Sequence, residues 1–316
     1  MEPINRGKGV TESERYLAQL ADRTFLNLWS YPNTFIDKKV RNKGDGKELC
    51  DLLVVCGDDV IIFSDKSCGW PEHTDINVSW ARWYRRAVEK SVEQIRGAER
   101  WLSQFPDRIF IDRPCTQRLP IGLPPTECAR VHGVVIAIGA DEACKKHCND
   151  DDGSLMIFGP LKGKDHMDPK AKAYLPFAIG DVDLEGPFVH VFDKSGLDLV
   201  LGEMDTIADF TRYLAEREKF IREERVGHSP GEAEMLAIYL QHFDTSGDHV
   251  FPAASALGMP DDYKITLAQG SYGDFANSAP YQAKKAADEI SYAWESLPCG
   301  SWRGKTAPFA ARSAAR

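Results

Sequence analysis

Two apolar runs, LCDLLVV at residues 49–55 and VIIFSD at residues 60–65, constrain the fold of this chain more than any other feature. They flank the turn Gly57-Asp58-Asp59, and short Val/Ile/Leu-rich runs around such a turn read as a buried β-hairpin. Side chains alternate across a strand, so Ser64 and Lys66 share one face and Asp65 takes the other. An aspartate, Asp51, stands near the start of the first strand, and Lys66 ends the second. The hairpin thus brings a carboxylate and an ammonium together at the edge of a buried sheet.

The surrounding pattern predicts helix, three strands, helix, strand. Residues 11–29 carry apolar positions at helical spacing (Leu17, Leu20, Ala21, Phe25, Leu28, Trp29). Thr11 supplies an N-cap and Glu14 the reciprocal carboxylate three residues later. The segment 30–33 (SYPN) reads as a break, and 34–40 as a short strand. A long helix over 79–104 would bury Trp80, Tyr84, Ala87, Ser91, Ile95, Ala98 and Leu102. Unbroken apolar character at 131–138 predicts a strand covered on both faces. Later strands are expected at 155–158 and 188–193, with helices at 141–148, 206–225, 232–243 and 282–296. The class is therefore α/β, a mixed central sheet flanked by helices with a mostly helical C-terminal extension. The division expected is 1–225, with a core at about 11–140, and 226–316.

The hairpin and its neighbours resemble the PD-(D/E)XK nuclease superfamily, most closely its nuclease-related and restriction-endonuclease-like branches. In that superfamily an Asp on one hairpin strand precedes an acid-x-Lys on the next by thirteen residues. Asp51 precedes Ser64 by thirteen, and Lys66 stands where the family's lysine stands. The resemblance implies a restriction-endonuclease-like core and Mg²⁺- or Mn²⁺-dependent cleavage of nucleic acid, with DNA favoured, in a restriction or antiphage-defence setting. It implies Asp51, Ser64, Lys66 and Glu14 as the catalytic positions. Ser64 replaces the second acid, and serine is a poor Mg²⁺ ligand. The missing carboxylate would then come from Glu14, or from Glu89 and Glu93 one helical turn apart, or from Asp65 if a bulge re-aimed it. Otherwise the fold is catalytically silent and binds nucleic acid or a partner protein. Gln94 corresponds to a glutamine that the family often carries on its next helix.

Arg82, Arg86 and Lys90 recur every four residues and form a stripe suited to a phosphate backbone, with Arg85, Trp80, Trp83 and Tyr84 interleaved. Lys38, Lys39, Arg41, Lys43 and Lys47 make a second basic cluster. The net charge of −9 argues against a general nucleic-acid coat. Residues 1–108, however, hold 17 basic and 17 acidic side chains, so the entire excess belongs to the remainder. That acidic half suits a protein partner or a second copy of the chain.

Other patterns are weaker. Cys144, His147 and Cys148 lack a second pair of zinc ligands and fit a helix face. The loop Asp244-Thr-Ser-Gly-Asp248 lacks the terminal glutamate of a calcium loop. Neither a phosphate-binding glycine loop nor a cysteine-hydrolase signature occurs. The N-terminal residues carry no apolar run and no stretch reaches membrane-spanning length, so the expected location is cytoplasmic, away from membranes.

Overall fold

A computed structural model describes residues 11–24, 29–38, 46–149, 151–204 and 206–295, with side chains left aside at 20–24 and 289–295. The chain groups into two compact units, Met1–Ser271 and Tyr272–Arg316, and residue 225 lies inside the first.

In chain order come helix α1 (Glu12–Thr24), strands β1 (Ser30–Ile36), β2 (Lys47–Cys56) and β3 (Asp59–Ser67), and a long helix in three pieces. Those pieces are α2 (Ile76–Tyr84), a π turn (Arg85–Glu89) and α3 (Lys90–Gln104). Next are β4 (Ile109–Phe110), β5 (Arg130–Ile138), α4 (Asp141–Cys148), β6 (Met156–Lys162), β7 (Ala178–Asp181) and β8 (Val189–Phe192). The first unit continues through α5 (Lys194–Glu203), α6 (Ile207–Arg222), β9 (Val226–His228), α7 (Glu232–Leu240) and β10 (Ile265–Thr266). After the short helix α8 (Ser271–Ala276), the second unit contains α9 (Ala279–Glu295).

The central sheet is mixed, in the order β4-β1-β2-β3-β5-β8. In it β4, β1, β2 and β3 each run antiparallel to the neighbouring strand, whereas β5 and β8 run parallel to β3. The α/β class therefore holds. Gly57, at φ 59°, makes the tight β2–β3 turn in a conformation that glycine adopts without a Cβ penalty.

Helices cover both faces. Leu53, Val55, Val60 and Ile62 pack toward Trp80, Trp83, Ile95 and Ala98. On the other side Phe63 stacks on Phe210 of α6, ring centres 6.3 Å apart. A Cβ at Gly133 would meet Ile95 at 2.8 Å, so glycine there lets α3 lie close on β5. All seven residues expected to line the buried stripe of the long helix are buried.

One expectation changes. The segment 30–33 is the first half of β1 and not a break; among the described strands β1 meets β4 only at Phe35 and Ile36, so Pro32 lies where one side of β1 is unpaired, a position that tolerates a missing N–H. The stretch after 225, expected to be mostly helical, also contains the short strands β9 and β10, which pair in parallel. Among the described residues no helix is long and apolar enough to cross a membrane.

Candidate functional site

The site begins where the β2–β3 ladder ends. These strands pair from Cys56/Asp59 up to Leu52/Phe63. Beyond that, β2 continues with β1 (Cys50 opposite Thr34) while β3 continues with β5 as far as Ser67/Ile138. Two strands that part leave backbone groups to be satisfied by something else. Asp51 fills the fork: its carboxylate accepts the N–H of Asp65 at 2.7 Å.

Two further carboxylates converge there. Glu14 on α1 and Glu48 on β2 can each place one oxygen so that, with one from Asp51, all three lie within 4.8 Å of one another. Glu14 is held by the capping box that the sequence predicts: its N–H donates to Thr11 Oγ1 at 3.1 Å and its Oε2 accepts the Thr11 N–H at 3.3 Å. Asn33 joins the two glutamates, its Nδ2 donating to Glu14 Oε2 at 3.0 Å and to Glu48 Oε1 at 3.1 Å. Asn33 sits in β1 with φ 49°, a left-handed conformation that asparagine tolerates better than most residues. The β1–β2 register slips just after it, between Thr34 and Phe35.

The electrostatics follow from burial. Asp51 is only 4% exposed. Desolvation pushes its carboxyl up to about 6, with Lys66 and the Asp65 N–H pulling the other way and Glu48 and Asp65 adding to the rise. Asp65 is also raised, chiefly by burial; Ser13 and Lys66 oppose the rise and Glu14 adds to it. The regular pairing of β3 with β5 shows no bulge at Asp65, so this residue is not turned onto the face of Ser64 and Lys66. Three acids gather around this fork with Lys66 nearby, an arrangement that a bound cation would stabilise.

The donor chemistry fits a hard divalent ion. Carboxylate oxygens are what Mg²⁺ and Mn²⁺ prefer, and among the described residues no other His, Cys, Asp and Glu side chains gather closely enough for a metal. The fork thus brings together Glu14, Asp51 and Lys66. It adds Glu48 and Asn33, which the sequence reading passed over. A second acid at the mouth of the apolar strand that carries Asp51 is the signal that could have found Glu48. Nothing local announces Asn33.

The remaining expected residues lie on or beside α3. Ser64 Oγ donates to Gln94 Oε1 at 3.2 Å, which ties the serine to the helix. Glu93 pairs with Lys90 at 2.9 Å and Glu89 with Arg85 at 3.6 Å, so neither belongs to the carboxylate cluster. Arg82, Arg86 and Lys90 are exposed, and the Arg86 guanidinium donates to the Gly69 carbonyl at 2.8 Å. The interleaved Trp80, Trp83 and Tyr84 are buried: they pack against Phe177, Trp70 and His166, and the Trp80 indole donates to the His166 carbonyl at 2.8 Å. Of the second basic cluster, Lys38 and Lys47 line a cavity beside the fork, and Lys39, Arg41 and Lys43 lie outside the described residues. That cavity, about 740 Å³, is also lined by Glu48, Lys66, Lys90, Glu93, Gln94, Arg100, Trp101 and Phe105.

The weaker motifs have structural explanations. The Cys144 thiol is buried against the Ser154 carbonyl, 3.3 Å away. Asp244 Oδ1 accepts the N–H groups of Ser246 and Asp248 while Asp248 pairs with Arg212, which makes a capped turn. Comparisons with protein-family models, with curated proteins and with solved structures found no match for this chain.

Proposed function

We propose that the chain is a metal-dependent phosphodiesterase acting on nucleic acid, in the manner of the PD-(D/E)XK superfamily that its hairpin resembles. The observation that carries this reading is the convergence of Glu14, Glu48 and Asp51 beside Lys66 at the strand fork. The chain order also supports it: a helix, an antiparallel three-stranded meander, a long helix and a strand parallel to the third. That is the order the resemblance implies for a restriction-endonuclease-like core. DNA as the favoured substrate, a restriction or antiphage role and a cytoplasmic place rest on the resemblance and belong to the proposal.

Glu14, Glu48 and Asp51 would hold Mg²⁺ or Mn²⁺, which would neutralise phosphate charge and lower the pKa of an attacking water. Glu48 supplies the carboxylate that Ser64 lacks. The Asp65 N–H fixes the Asp51 oxygen, and Asn33 holds both glutamates through one amide. Lys66 stabilises negative charge developing on the phosphoryl oxygens, a task suited to a preorganised cation. Gln94 locks Ser64 at the floor and keeps Lys66, two residues on, at the cavity wall.

A second reading, a silent nuclease-fold module that binds without cutting, draws its support from Ser64, where the family has an acid. Labelled DNA and RNA incubated with Mg²⁺ or Mn²⁺ separate the two. Asp51→Ala should abolish cleavage, and Lys66→Ala and Glu48→Gln should each reduce it on the order of 10²-fold. Equal activity in wild type and all three variants would remove the assignment. Binding with no cleavage by wild type under any divalent ion would leave the silent module.

A further inference from the structure

The cavity beside the fork differs in character along its length. At one end stand Glu48, Lys66 and Gln94; at the other stand Trp101, Gln104 and Phe105, on and just past the last turn of α3. Lys38, Lys47, Lys90 and Arg100 also line the cavity, Lys90 paired with the lining Glu93 at 2.9 Å, and Lys66 stands at the carboxylate end. From Gln94 to Phe105 the helix rise gives about 16 Å, room for roughly five phosphates at a stacked strand's spacing of about 3.4 Å.

The aromatic end is a built platform. Trp101 and Phe105 have ring centres 4.7 Å apart. The Arg108 guanidinium lies over both rings, 5.2 and 5.0 Å from their centres. Arg108 is itself fixed by hydrogen bonds to Asp37 at 2.7 and 3.0 Å, and the Trp101 indole donates to the Arg108 carbonyl at 3.1 Å. Phe105 nevertheless remains 37% exposed. A rigid, accessible aromatic at the end of a cationic channel suits a base that presents its π-face. In a duplex those faces are covered by the neighbouring base pairs, and only an unpaired nucleotide offers one.

We infer that the substrate engages this cavity as a single strand, with its phosphates along Lys38, Lys47, Lys66, Lys90 and Arg100 and an unpaired base stacked on Phe105 and Trp101. This deepens the phosphodiesterase reading and rests on it. Duplex DNA is then a substrate only where it is frayed, gapped or melted.

The test is fluorescence anisotropy with the full chain in EDTA, so that nothing is cut. The probes are labelled oligothymidylate and oligouridylate of about 12 nucleotides and a blunt duplex of the same length. At least one single strand should bind about tenfold more tightly than the duplex. Phe105→Ala should weaken that binding about fivefold or more and leave duplex binding within about twofold, while Phe105→Trp should retain wild-type affinity. Duplex binding as tight as that of the better-bound single strand, or binding of that strand indifferent to Phe105→Ala, overturns the inference. Cleavage of all three probes in Mn²⁺ then reads the parent proposal separately, and a single strand that is bound but not cut removes that proposal alone. If the duplex is cut and Asp51→Ala abolishes the cutting, the nuclease reading stands and the single-strand inference alone falls. If no probe is bound or cut, both fall.

Discussion

Two regions gather charge in this protein, and they do so in opposite ways. In the first, Arg217 of α6 and Glu232 of α7 are 1% and 5% exposed and meet through paired hydrogen bonds, Nε to Oε1 and Nη2 to Oε2, both 2.9 Å. The Tyr213 hydroxyl donates to the same carboxylate, and the guanidinium also lies over Phe192, 4.7 Å from its ring centre. His190 faces Arg217 and is held well below its usual titration range, first by burial and then by that cation. Each charge there has its complement. At the β2–β3 fork, by contrast, Glu14, Glu48 and Asp51 face one another, with Lys66 and the Asn33 amide as partial compensation. A closed ion pair joins two helices; a carboxylate cluster offers its oxygens to a cation from solution. Burial of charge by itself does not mark a site; carboxylates gathered within reach of one ion do so better.

The largest effect expected from this contrast is in the closed pair. Glu232→Leu or Arg217→Leu should each cost about 3–5 kcal/mol of unfolding free energy, because the remaining charge is left buried alone. The double replacement should recover most of that loss in urea titrations. Single losses below about 1 kcal/mol would break the contrast.

The next concerns the fork. Mg²⁺ or Mn²⁺ at a hundredfold excess over its Kd should stabilise the wild type by about 2.7 kcal/mol. Asp51→Asn should erase that gain and leave the metal-free protein as stable as before or more so, since it removes one of the mutually repelling charges. Calorimetric melts with and without the ion check both halves. A full metal-induced shift in Asp51→Asn would place the ion elsewhere.

The smallest uses His166, another closed polar group. Its Nδ1 faces the Gly163 carbonyl at 2.7 Å and its Nε2 accepts the Gly180 N–H at 3.0 Å, a pattern that only the neutral ring satisfies. Burial lowers its pKa from 6.5 to about 4, with the Gly163 contact acting the other way. Between those values the unfolded chain binds the extra proton, so stability falls as pH falls from 6.5 toward 4. His166 should account for about 2 kcal/mol of loss between pH 7.5 and 5. Urea titrations of His166→Gln should show a correspondingly shallower acid slope; an unchanged slope would remove His166 from the account.

The fork explains how much of the site was legible in advance. Asp51 and Lys66 could be paired from the sequence because a hairpin is local and a strand's side chains alternate. Glu14 is placed beside them only by the family resemblance; its capping box marks the start of α1 and says nothing about the fork. Glu48 could not be placed there, since strict alternation puts it and Asp51 on opposite faces of β2. They come together only where β2 leaves β3 and the β1 register slips after Asn33. Trp83 fails for a related reason. It was read with Arg82 and Arg86 as part of a basic aromatic surface, but the long helix passes through a π turn and buries Trp83 and Val88 with the expected stripe.

The sequence by itself determined the α/β class, the β2–β3 hairpin, the capping of α1 and the buried stripe from Trp80 to Leu102. Each follows from periodicity or turn chemistry within a few residues. The tertiary structure alone decided that Glu48 and Asn33 join the acidic cluster, that Arg217 finds Glu232, and that Phe105 stands at the end of a cationic channel. Those pairings depend on where strands part and helices dock. Such contacts between distant segments are set by the packing of the whole sheet, and no local pattern carries them.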